Sequence, residues 1–314
     1  MLAAIVSLAI GAAAIAPARL LAVLAGHGDP VATAILIDLR LPRVIVGLMV
    51  GAMLGLAGAA LQGYLRNPLA EPSVIGASNA AALGAVGAIY FGLSEWNPLM
   101  LPALSIGTGL LALVLLFALA GRSESPLTLI LAGIAVSTMA GAGISLALNL
   151  SSNPFAAMEI TTWLLGSIEN RSIDHVWIAL PCIVVGAGLL LFDGRALDAL
   201  SLGEDGAQAL GVDLRRTRLR LLLGVGIGVG GAVAVSGSIG FIGLIVPHLV
   251  RPLTDRSPSA VLLPSMLAGA LLLTLADIAV RLISTQNELK LGVLTAFLGV
   301  PVFLIHLLRE RRLW

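Results

Sequence analysis

Charge is scarce in this chain: 11% of its 314 residues are Asp, Glu, Lys or Arg, against roughly 25% in soluble domains. With 58% hydrophobic residues and a mean hydropathy of +1.04, that scarcity excludes an ordinary soluble core. The only lysine is Lys290 and the formal net charge is +1, so no basic field exists for nucleic acid. The single cysteine, Cys182, lies inside an apolar run, which excludes an intrachain disulfide and a thiolate metal site. His27, His175, His248 and His306 are scattered, with no pair at metal-ligand spacing. No glycine-rich phosphate loop ending in Lys-Ser or Lys-Thr is present, so the chain has no such means of cradling a nucleotide. An HExxH helix is missing too, and Ser236-Gly237-Ser238 has no base nearby to make a hydrolase. The expectation is a protein that is not an enzyme, with no catalytic residue, no metal site and no cofactor of its own.

What is abundant is long apolar sequence. Runs at 1–15, 43–63, 74–91, 98–120, 127–149, 174–192, 219–237, 239–250, 260–283 and 291–308 read as helices of one all-α polytopic membrane domain covering 1–314. The first run resembles a signal-peptide core but has no positive leader, and is read as a retained span. The eighth, IGFIGLIVPHLV, would reach only about 18 Å as a helix and is read as a half-membrane helix. Counting it as a crossing puts twelve of the eighteen basic residues on or beside cytoplasmic segments. Arg19, Arg40, Arg43, Arg171, Arg281 and Lys290 then fall outside. The positive-inside bias therefore selects ten spans with both termini cytoplasmic.

Small residues recur every four positions at Gly47, Gly51, Gly55, Ala59 and Gly63, and again at Gly133, Ser137, Gly141 and Ser145. Such ridges let helices approach closely. The pairs Gly224–Gly228 and Gly226–Gly230 repeat the device. Two segments break the helical pattern: GYLRNPLAEPSVIGASN after the second span and SGSIGFIGLIVPHLVRP after the seventh. Irregular backbone at membrane depth persists only where protein covers it or a wet cavity adjoins it, and such interruptions point to a transport pathway.

The most polar stretch is the island Asp193–Arg220, which holds ten of the thirty-five charged residues, five acids and five arginines. Ala196, Leu197 and Leu200 recur at helical spacing until Gly203 breaks the run; Ala207 and Leu210 form a second short helix that Gly211 ends. The apolar stripe on each helix reads as a docking surface, or as no more than the inner face of a connecting loop. Asp277 and Arg281 stand four apart, as a structural ion pair or a proton relay. Arg40 and Arg43 bracket Leu41-Pro42, as helix-end anchors or as contacts to an acidic partner. Glu71 sits in the proline-flanked bend and reads as interfacial.

LRLPRVIVGLMVGAMLGLAGAALQGYLRNPLAEPSVIGASNAA, LSLGEDGAQALGV, GSIGFIGLIVPHLVR, LLPSMLAGALLLTLADIAVRL and LGVLTAFLGVPVFL resemble, in this order, the blocks of the FecCD family. These are permeases of ABC importers for iron chelates, haem and vitamin B12. The resemblance runs from Leu39 to Leu308. It implies a type II ABC importer permease fold of ten helices per subunit, a homodimer, two cytoplasmic ATPase subunits that bind ATP and Mg, and a periplasmic substrate-binding protein. It places the chain in a bacterial inner membrane, and implies no nucleic-acid partner. Leu200, Gly203, Glu204, Ala207, Leu210 and Gly211 match the family's coupling helices. Arg40, Arg43 and Arg281 match arginines that meet glutamates of the binding protein. Asn67, Pro68 and Leu69, with the loop 123–127, match the cytoplasmic gate. That loop reads SESPL and departs from the hydroxyl-rich version of the B12 permease. Iron-siderophore is the favoured cargo, with haem and cobalamin beside it. The alternative is a proton-coupled secondary carrier using Asp277, or a structural scaffold.

Overall fold

A computed structural model describes residues 2–11, 19, 22–23, 26–120, 126–283 and 289–310, with no side chain described at 120, 126 or 305–310. Every regular element among them is helical. Helix α1 spans Leu2–Ala9; the rest of the expected first span, from residue 12, falls outside the described residues. Six helical stretches are long and apolar enough to cross a membrane: Pro30–Leu65, Met100–Leu119, Leu127–Leu150, Ile173–Phe192, Leu214–Ser236 and Pro258–Leu282. Three shorter apolar ones, Ala77–Tyr90, Ile242–Leu253 and Leu291–Leu304, stand between and after them.

The central helix is longer than its apolar run. Asp29 caps it, accepting from the Ala32 amide at 2.8 Å, with Pro30 at the first helical position. The chain then widens into a π-helical segment, Ile35–Arg40, before helix α2, Leu41–Leu65. Pro42 lacks the N–H that a regular turn would need, and the π segment directly ahead of it is where the helix absorbs that loss. Arg66 ends α2 in the left-handed region at φ 49°.

Helices α3 (Ala77–Tyr90), α4 (Met100–Ala120), α5 (Pro126–Leu150) and α6 (Pro154–Leu164) follow. The sequence reading had α6 as loop, although Asn153 caps the Phe155 amide at 3.0 Å and Pro154 occupies the first position. Eleven residues, half of them exposed, carry too little apolar length to stand out beside true spans. Helix α7 (Ile173–Phe192) leads into the island helices α8 (Gly194–Leu200) and α9 (Glu204–Ala209). Then come α10 (Leu214–Ser236), α11 (Ile242–Val250), α12 (Pro258–Leu282) and α13 (Leu291–Glu310).

Helices α2 and α10 form the centre, and both are mostly buried. Small residues bring their neighbours in. A methyl group on Gly51 or Gly55 would collide with the backbone carbonyls of Gly269 or Ser265 on α12, and one on Gly58 with that of Gly243 on α11. Gly224 and Gly228 of α10 meet Gly186 of α7. With no hydrophobic drive between helices in lipid, this backbone-to-backbone approach is the main source of packing energy. The ladder on α5 is used differently: Gly133 touches Val74 and Ile75, Ser137 hydrogen-bonds, and Gly141 faces open space.

Helix α11 has nine residues, fewer than the twelve of its apolar run, because Gly237 at φ 67° and Phe241 at φ 68° keep 237–241 irregular. At 1.5 Å per residue it spans about 14 Å, half a hydrocarbon core.

Candidate functional site

The island lies at one end of α2 and the arginines Arg40 and Arg43 at the other. Arg43 and Gly63 are twenty residues apart on one helix, or about 30 Å, so the two sites are on opposite faces.

At the island end, Leu197, Leu200 and Ala207 are buried, with Leu197 against Gly63 of α2. These three residues of the apolar stripes therefore pack on the chain's own core, whereas Leu210 of the second stripe does not. Two leucines stay outside: Leu202, between the two helices, and Leu210 of the second stripe, just after α9, 70% and 65% exposed. Leu202 went unread in the sequence because it falls between the two helical repeats. Gly203 at φ 96° and Gly211 at φ 84° make the two turns, a backbone region that glycine enters at little cost. Glu204 opens α9, half-buried, with Asp205 exposed beside it; acids in a first turn suit the helix dipole.

Two polar bonds fasten the island to the membrane helices. The buried Asp193 carboxylate accepts from Arg220 Nε at 2.9 and 3.0 Å, and Arg220 lies over the Phe192 ring at 5.2 Å. Asp198 Oδ1 accepts from the Ser259 amide at 2.8 Å, satisfying one of the open donors at the start of α12. These bonds tie the island to α7, α10 and α12.

The bend after α2 is a built turn. Asn67 Oδ1 accepts from the Leu69 amide at 2.9 Å, the Asn67 carbonyl accepts from Ala70, and Pro68 O lies 3.0 Å from His248 Nε2 of α11. Leu69 is left 38% exposed. Beyond it, Ser73 Oγ donates to Glu71, the Ser73 carbonyl accepts from Ser137 Oγ at 3.3 Å, and Asn79 Nδ2 donates to that same Ser137 hydroxyl. This polar thread, unseen in the sequence, couples the bend to α5. Most of the loop 123–127 expected at the same gate falls outside the described residues.

At the other end Asp277 is the hub. Arg43 reaches Oδ1 through Nε at 2.9 Å and Nη2 at 2.8 Å, and Arg281 Nη2 lies 2.7 Å from Oδ2. Arg281 Nη1 also donates to the carbonyls of Ser7 at 2.9 Å and Ile10 at 2.6 Å, and Arg40 Nη1 to those of Leu8 at 2.7 Å and Ala9 at 2.9 Å. Cations at the C-terminal end of α1 are favoured by its dipole and its open carbonyls. The Asp277–Arg281 pair read from the sequence is present, but joined by Arg43 from 234 residues away. All three arginines are turned inward, with Arg40 5% exposed, because one carboxylate and four helix-end carbonyls outbid water for them. Both Asp277 oxygens are occupied by guanidinium donors, a poor arrangement for a proton relay.

A second junction on this side ties α13 down: Lys290 Nζ to Glu169 Oε2 at 2.7 Å, Gly292 N to Gly166 O at 3.2 Å, and Ser167 N to Ser236 O at 2.7 Å. Arg171 in the same loop is pushed down in pKa by burial, partly offset by Glu169. Next to the junction opens an apolar hollow of about 740 Å³ lined by Leu164, Ser238, Phe241, Val293, Phe297 and Val300. Among the described residues no group of His, Cys, Asp and Glu could hold a metal ion.

A helical membrane bundle with a half-length helix, a polar bend and a tethered island suits a transport permease, and its family and its structural match make the chain the permease subunit of an ABC importer of the metal-chelate type. It belongs to the FecCD transport family, whose model matches residues 1–309. It is 41% identical to the uncharacterised ABC transporter permease YvrB of Bacillus subtilis, over 91% of this chain and 82% of that one. It is 39% identical to the Fe(3+) dicitrate permease FecD of Escherichia coli, over 88% and 86%. A solved inward-facing metal-chelate type ABC transporter superimposes with a TM-score of 0.89 at 34% identity, covering 98% of this chain and 96% of that one. The family replaces the secondary-carrier and scaffold readings and makes the chain a multi-pass membrane transport protein rather than an enzyme.

Proposed function

We propose that this permease passes a metal chelate from periplasm to cytoplasm, powered by ATP and Mg held on two separate ATPase subunits, and that it works as a homodimer. An iron chelate is the favoured cargo: relatives carry ferric dicitrate and, in Bacillus subtilis FhuG at 34% identity, iron(3+)-hydroxamate. A 39% identical relative from Halobacterium salinarum carries cobalamin, and that cargo stays beside it. The chain sits in the inner membrane with both termini inside, so the island faces the cytoplasm and the Asp277 knot the periplasm.

The observation that supports this most is the island's construction. Leu200 and Ala207 are buried to anchor α8 and α9, Gly203 and Gly211 turn the chain, and Leu202, Glu204 and Leu210 present the contact to the ATPase. ATP-driven closure of the ATPases moves this unit, the Asp193–Arg220 and Asp198–Ser259 bonds carry the motion inward, and the bend at Asn67, Pro68 and Leu69 opens and shuts. Cargo arrives captured by the binding protein, so a wide apolar hollow suits the task better than a tight site. Arg40, Arg43 and Arg281 serve docking as a unit: two of these cations share the Asp277 carboxylate while Arg40 sits on helix-end carbonyls, and the surplus positive charge attracts acidic groups on the binding protein.

The test is coupled transport in proteoliposomes with the partner ATPase and a loaded binding protein. Glu204→Arg leaves the complex folded and uncouples ATP hydrolysis from uptake; unchanged coupled uptake would sink the assignment.

A further inference from the structure

The knot around Asp277 is built at helix ends, not deep in the bundle. Asp277 and Arg281 belong to the last two turns of α12, and Arg43 to the first turn of α2. Each carboxylate oxygen has its own guanidinium: Oδ1 takes Arg43 through Nε and Nη2, and Oδ2 takes Arg281 through Nη2. Ser7 adds a second hold on Arg281, its carbonyl accepting from Nη1 at 2.9 Å and its hydroxyl from Nη2. Asp277 is therefore tied to the same two side chains whose charge an acidic partner would use.

Fastening α2 to α12 does not require this chemistry. A desolvated ion pair contributes little net stability, because the lost hydration offsets most of the attraction, and well-packed apolar side chains often hold as firmly. What charges add is the ability to change partners. A guanidinium that leaves one carboxylate for another exchanges like for like, with the same forked hydrogen bonds on either side of the step.

We propose that Asp277 is an internal competitor for the docking arginines. It occupies Arg43 and Arg281 in the undocked permease, and acidic side chains of the binding protein take its place when the two proteins meet. Asp277 has this role only if Arg40, Arg43 and Arg281 dock the binding protein, as proposed above. Competition accounts for arginines that are turned inward although their charge is meant for a partner. It also keeps docking reversible, so that an emptied binding protein can leave: one negative charge at the centre of the site lowers the attraction for every incoming acid.

The test compares affinity with stability in the full chain, held in phosphatidylcholine nanodiscs. Two probes are titrated: the binding protein that supports uptake in the assay above, and hexaglutamate, which needs no identified partner. Arg40→Gln and Arg43→Gln weaken the binding of both. Asp277→Asn tightens it by about fivefold at low salt, the upper end of what one exposed ion pair contributes. That gain vanishes near 1 M salt, where the screening length is about 3 Å. The thermal midpoint of the same variant falls, so affinity and stability move in opposite directions, whereas a merely structural role would lower both. Asp277→Glu restores the wild-type affinity. Should Asp277→Asn fold poorly, Ser7→Ala removes one acceptor from Arg281 and no charge, and tightens binding by a smaller factor. Asp38→Asn is the control, an exposed carboxylate on the π-helical segment ahead of α2.

The proposal fails if Asp277→Asn and Ser7→Ala leave binding unchanged or weaken it, or if Asp38→Asn tightens it as much as Asp277→Asn does. If the two arginine variants weaken docking in either case, the docking role stands and the competition alone falls. If Arg40→Gln and Arg43→Gln bind the binding protein as the wild type does, the docking role falls and the competition with it.

Discussion

The two ends of α2 handle charge in opposite ways. At one end Asp277 binds two guanidiniums and a third arginine sits on helix-end carbonyls; Asp277 and Arg40 are buried and the other two arginines largely so. At the other, five acids and five arginines are spread over a surface segment, and only Asp193, Thr217 and Arg218 among its polar residues are fully buried. The first arrangement fixes a geometry, since a buried charge that loses its partner is very costly. The second leaves contacts to be made with another protein, because exposed charges cost little alone.

Substitution tests the contrast. Asp277→Asn keeps the shape but strands two largely buried arginines, and costs about 3–5 kcal/mol, read as a lower thermal midpoint in size-exclusion chromatography; a change no larger than that of an island variant would erase the distinction. Gly55→Val drives a branched side chain into the Ser265 carbonyl on α12, for about 1–3 kcal/mol or more and a loss of monodisperse protein. Asp193→Asn weakens the hold on Arg220, which is itself a third exposed, and costs about 1–2 kcal/mol while loosening coupling. Leu202→Ser changes stability by no more than about 0.5 kcal/mol, yet lowers affinity for the ATPase in a pull-down titration.

Hydropathy and glycine punctuation made the spans, the half-length helix, both bends and the island's two helices legible in the sequence. These features are local, written in consecutive residues. What escaped was pairing over distance. Asp277 and Arg281 share a helix and could be matched by spacing; Arg43 comes from another span, and the carbonyls of α1 have no sequence signature at all. The island misled in a second way: periodicity identified Ala196, Leu197 and Leu200 on one helix and Ala207 and Leu210 on the next, but not which of them point inward. Burial against Gly63 and α12 decides that, and it left Leu202, outside the pattern, on the surface.

The crossing of α2 with α12 also sets a clock. Gly55 and Gly269 meet across 214 residues of chain, and a ribosome adding roughly 5–20 residues per second needs about 10–40 s to supply the second after the first. Through that interval α2 is already in the bilayer with its glycine face uncovered and Arg43 without Asp277. A span made early is thus among the last to find its partner, and nascent chains stalled before residue 258 should be those that membrane quality control removes fastest.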